Sequence, residues 1–118
     1  MSGTSDQLAQ HLRALSAAVE RLRAVLQRFD RAGLKLAAHI EGGANLVAAL
    51  DHLDGRVRRT EVTEAIDEFE AARHQVRLAM FGLAKEQGSS LSEVARALGI
   101  SRQLASRQAA ETDRSASN

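Results

Sequence analysis

Between residues 8 and 29 the apolar side chains follow one seven-residue repeat: Leu8, Leu12, Leu15, Val19, Leu22, Leu26 and Phe29. The steps alternate four and three. That spacing keeps one stripe of a helix facing a neighbour packed at a shallow angle, so it commits this part of the chain to helix-on-helix packing. Ala18 and Val25 widen the stripe, which suits a bundle as well as a two-stranded coil. The chain has no proline, many Ala, Leu, Arg and Glu, and few alternating β-branched runs. It therefore reads as all-α.

The spacing predicts a first helix over 6–31, capped by Thr4 or Ser5 and stopped by Gly33. A second stretch, 34–53, carries Leu36, Ile40, Val47, Leu50 and Leu53, and is interrupted by Gly42-Gly43. Two interior glycines cost roughly 2 kcal/mol relative to alanine. A continuous but weakened helix is expected there, with a break as the alternative, and Gly55 ends it. Arg56-Val57-Arg58-Arg59 reads as a basic loop. Thr60 then caps a third helix to about Gln87, with Val62, Ile66, Phe69, Arg73, Val76, Met80 and Leu83 on its seam and Gly88 as its stop. The first and third helices are long for one small core. Residues 1–59 are thus expected to form a dimerisation region whose seam is the heptad series from Leu8 to Phe29. A monomeric three-helix bundle is the alternative.

The chemistry of residues 90–109 differs. Ser90 and Glu93 have capping-box spacing in front of Leu91, Val94, Ala95 and Leu98. Gly99 supplies a left-handed exit, Ile100 plugs the corner, and Ser101 caps a last helix expected over 102–111. A small residue at Ala95 leaves room for two short helices to cross steeply. Met80, Leu83 and Ala84 are expected to cover the pair, giving a tri-helical helix-turn-helix within 60–111 and a disordered polar tail over 112–118. Ser101, Arg102, Gln103, Ser106 and Arg107 point away from the apolar side. Arg pairs with guanine and Gln with adenine in the major groove, and Ser with phosphate or base. Arg96 and Lys85 add backbone contacts. Arg56, Arg58 and Arg59 are weaker phosphate candidates, for which a solvated turn is the rival reading.

The stretch "GLAKEQGSSLSEVARALGISRQLASR" resembles the helix-turn-helix of bacterial, especially actinobacterial, DNA-binding regulators and of related sigma-factor-like domains. The resemblance covers about residues 82–108. It implies that the second helix of the motif lies in the major groove. Gln108 departs from the pattern, since such proteins often carry an apolar residue there.

Composition narrows the rest. Fourteen Arg against two Lys suits phosphate and guanine recognition, although a GC-rich genome produces the same bias, and the net charge is only +1. Three Phe and no Trp or Tyr disfavour the base-stacking platforms of RNA and single-strand binders. Without cysteine there is no disulfide or thiolate metal site. His11, His39, His52 and His74 have no metal-ligand spacing, and no phosphate-cradling glycine loop appears. Leu46–Leu50, the longest apolar run, is too short to span a bilayer. The expectation is a cytoplasmic homodimer, located at the nucleoid, that binds double-stranded DNA sequence-specifically, most simply as a transcriptional regulator. It is expected to have no cofactor, no metal, no membrane partner and no enzymatic activity. The alternatives are a low-specificity nucleoid protein and a helical protein-interaction module that contacts polymerase or a partner regulator.

Overall fold

The computed structural model describes the backbone of residues 3–117 and the side chains of 3–114. Five helices follow in order: α1 (Gly3–Glu41), α2 (Leu46–His52), α3 (Gly55–Glu86), α4 (Leu91–Leu98) and α5 (Arg102–Ser117). No strand occurs among the described residues. No described helix is long and apolar enough to cross a membrane. The chain divides into two compact units, residues 16–70 and residues 1–15 with 71–118.

Several boundaries differ from the sequence reading. α1 begins at Gly3, ahead of both proposed caps, and the Thr4 methyl packs 3.8 Å from the position a Cβ would take on Gly82. α1 also runs through Gly33. One interior glycine costs only about 1 kcal/mol, and Ala32 and Leu36, half-buried on either side of it, continue the packed stripe. The break falls instead at Gly42-Gly43, where Gly43 adopts φ +86. Its N–H bonds to the Ile40 carbonyl at 3.0 Å, and the Ala44 N–H bonds to the His39 carbonyl at 2.9 Å. Asn45 then caps α2 by accepting the Ala48 N–H at 3.1 Å.

Arg56, Arg58 and Arg59 form the first turn of α3, not a loop. Asp54 makes this possible. It takes a left-handed φ of 54, a conformation Asp tolerates better than most residues, and its carbonyl accepts the Arg58 N–H at 3.0 Å. Thr60 lies inside the helix and donates its hydroxyl back to the Arg56 carbonyl. At the other end of the chain, α5 continues past Glu111 to Ser117, where a disordered tail was expected. Two contacts explain the continuation. The Thr112 hydroxyl donates to the Leu78 carbonyl at 3.3 Å, and Asp113 pairs with Lys85 at 3.0 Å. Asn118 lies outside the described residues.

In residues 16–70, α1 and α3 run antiparallel. Arg21 pairs with Glu68, and seven residues further along α1 Arg28 meets Glu61 at 3.6 Å. These exposed pairs set register more than they add stability. The buried residues here are Ala18, Ala49 and Ala65. Alanine lets helices approach closely but contributes little buried area. Ala18 therefore sits at the centre of the α1 stripe that was expected to be centred on the heptad seam. Leu15, Val19 and Leu22 of the seam are half-buried within the chain. Leu12, Leu26 and Phe29 remain 43%, 43% and 47% exposed.

Candidate nucleic-acid interface

The core of the second unit is built by α3, α4 and α5. Phe81, Ala95 and Ala105 are buried together, with Leu91, Val94, Leu98, Ile100 and Ala109 packed around them. Phe81, rather than the expected Met80, Leu83 and Ala84, is the side chain of α3 at the centre; those three are half-buried. The seam drawn along α3 assumed one continuous partner. In residues 55–70 the helix faces α1; further along it also packs on α5, as His74–Glu111 at 2.8 Å and the Thr112–Leu78 bond show, while Thr4 of α1 still lies beside Gly82. A second neighbour adds a second buried face, so a single periodic stripe catches the buried Val76 but misses Phe81.

Local chemistry fixes the α4–α5 connection. The Glu93 N–H bonds to the Ser90 hydroxyl at 3.1 Å, and the Glu93 carboxylate accepts the Ser90 N–H at 2.9 Å. That N–H, and then the hydroxyl, holds the Glu93 carboxyl below its ordinary value. Gly99 ends α4 at φ 71 and ψ 30. Its N–H and that of Ile100 return to the Arg96 and Ala95 carbonyls. Nothing approaches within 4 Å of the space a Gly99 Cβ would occupy, so glycine is needed there for conformation and not for room. Ser101 caps α5 by accepting the Leu104 N–H at 3.1 Å. Ala95 at 4% and Ala105 at 0% exposure are buried together, one from each helix.

This packing sorts α5 into two faces. Ala105 and Gln108 are buried and Leu104 half-buried, while Ser101, Arg102, Gln103, Ser106 and Arg107 are exposed. The side chains of Arg102, Gln103, Ser106 and Arg107 make no hydrogen bond or ion pair with another described residue. The outer face thus presents two unpaired guanidinium forks, an amide and a hydroxyl along the first two turns of a capped helix. Such groups can donate to base edges and phosphate oxygens. Arg96 is exposed on the neighbouring α4.

Other candidate residues are placed less favourably. Lys85 is paired with Asp113. Arg58 is half-buried and meets Glu61 at 3.5 Å, whereas Arg56 and Arg59 are exposed. These three arginines belong to residues 16–70, whereas α5 belongs to the other unit. The sequence reading also missed that His39 and His52 meet, with ring centroids 5.6 Å apart in an edge-to-face arrangement. Only the break at Gly42-Gly43, which turns α2 back beside α1, brings them together. No cluster of three metal-ligating side chains occurs among the described residues. Comparison with protein families, characterised proteins and solved structures finds no match.

Proposed function

We propose that this protein binds double-stranded DNA as a homodimeric helix-turn-helix transcriptional regulator, with α5 entering the major groove. The observation that carries the reading is the two-faced α5. Its inner side is anchored on Phe81 and Ala95, and its outer side carries Arg102, Gln103, Ser106 and Arg107 exposed and without intramolecular partners. A short helix held rigidly by its neighbours, with its N-terminal residues projecting polar forks, is what major-groove readout requires. Ser101 and the free N–H groups of the first turn can face a phosphate, and Arg96 can reach the backbone beside it.

The dimer rests on the other unit. Residues 16–70 bury only alanines, while Leu26, Phe29, Leu34, Ile40, Leu46, Val47, Leu50, Val57 and Ile66 are exposed. Covering them with a second copy supplies the apolar burial that each copy lacks, and the two α5 helices then read half-sites roughly 34 Å apart.

Anisotropy titrations of labelled genomic fragments, with and without random competitor DNA, test the reading. A regulator prefers its site by about 10³-fold or more. Arg102→Ala and Arg107→Ala each cost about 1–3 kcal/mol. Unchanged binding in both variants would remove α5 as the reading helix. A uniform affinity for all duplexes would make this a nucleoid protein of low specificity.

A further inference from the structure

The cations of residues 16–70 gather on one side. Arg28, Arg31, Lys35 and His39 recur at steps of three, four and four along α1, so they share one face. Helical periodicity puts that face to one side of the buried Ala18 stripe and Leu26 to the other. The end of α2 brings His52, and the first turn of α3 brings Arg58, to the same place. Together these side chains line a cleft of about 420 Å³.

The charge balance in this cleft is uneven. Arg28, Arg31, Lys35 and Arg58 bring four full positive charges, and Asp54 is the one carboxylate on the lining. Glu61 offsets part of this from behind. One of its oxygens lies 3.6 Å from Arg28 and 3.5 Å from Arg58, so it also fixes the two guanidiniums side by side. The side chains of Arg31 and Lys35 have no partner among the described residues. The edge-to-face His39 and His52 rings complete the wall with further ring nitrogens.

We propose that this cleft is a binding site for a phosphorylated small molecule. Like charges brought together in a concavity are stabilised by an anion that bridges them, and paired arginine forks match the oxygens of a phosphoryl group. A phosphate monoester carries about −1.5 to −2 charges near neutrality, which suits the excess left after Asp54 and Glu61. The volume falls within the small-ligand range of about 300–1,000 Å³ and has room for an organic body beside the phosphoryl group. The inference does not depend on the DNA-binding reading.

The test titrates inorganic pyrophosphate and AMP into the full chain at constant ionic strength, with acetate as the control anion. The imidazole proton resonances of the four histidines report occupancy. The expected result is a saturable shift of the His39 and His52 signals by at least one of the two phosphates, with His11 and His74 unmoved and no saturation by acetate. The double variant Arg31→Gln with Lys35→Gln, which changes two exposed and unpaired side chains, keeps the helical circular dichroism and weakens binding about tenfold or more. Absence of a saturable shift, equal movement of all four histidines, or undiminished binding to the double variant overturns the proposal. A duplex oligonucleotide forms the last arm. If it moves the His39 and His52 signals and the small phosphates do not, the cleft is a backbone-phosphate contact and the small-molecule assignment is wrong.

Discussion

Gln108 offers the sharpest test of how α5 is held. It is only 8% exposed, yet its side-chain oxygen has no hydrogen-bond partner. An amide oxygen removed from water without compensation costs about 1–3 kcal/mol. Methionine has nearly the same length and shape, carries no such acceptor, and replaces polar atoms with apolar ones in a buried position. Gln108→Met is therefore expected to stabilise the chain by about 1–2 kcal/mol. For a chain of this size that corresponds to a melting temperature higher by roughly 3–10 °C. The assay is urea denaturation followed by far-UV circular dichroism, with thermal melts alongside. The midpoint should rise while the slope stays constant, since the surface exposed on unfolding hardly changes. Gln108→Ala should gain less or lose stability, because it empties the space as well as removing the acceptor. On the proposed DNA-binding reading, affinity for duplex DNA should be unaffected, since Gln108 lies on the inner side of α5. A midpoint lowered by Gln108→Met would refute the reasoning and mean that the amide is satisfied in solution.

Three further outcomes follow from other parts of the fold. Gly33→Ala, inside α1 with nothing near its added Cβ, should stabilise by about 1 kcal/mol. Gly99→Ala meets equally open space but a φ of +71, and should destabilise by about 1–2 kcal/mol; the same sign for both in denaturant melts would contradict the helix boundaries. Because the Glu93 carboxyl is held below its ordinary value of 4.5, its contribution is complete above that pH and is lost as the pH falls through the lower folded value. The stability gap between the wild type and Glu93→Gln should accordingly shrink below about pH 4.5, and a gap constant down to pH 2 would argue against the capping box. On the proposed dimer, Leu26→Glu places a charge on the exposed apolar flank of α1 and should shift the mass in sedimentation equilibrium from dimer to monomer. A monomeric wild type, or a dimeric variant of unchanged affinity, would remove that face from the interface.

The sequence alone determined what depends on neighbours a few residues apart. The all-α class, the Ser90–Glu93 box, the left-handed Gly99, the Ser101 cap and the two faces of α5 are all set by local hydrogen bonds and helical periodicity, which are written into consecutive residues. Boundaries at glycine were not legible in this way. Gly33 reads as a stop and Gly42-Gly43 as part of a weakened helix, and both readings are reversed; what decides is whether the packed stripe continues on the far side and whether a cap such as Asn45 follows. The same holds for the tail, which reads as polar and unstructured until Thr112 and Asp113 are seen to bond Leu78 and Lys85 on α3. Only tertiary structure decided which face of each long helix is buried. Ala18 displaced the leucine seam, Phe81 entered the core where α4 and α5 meet α3, and His39 and His52 met in a cationic cleft. Each of these depends on which helix lies alongside, and residues far apart in the chain carry no local signal of that.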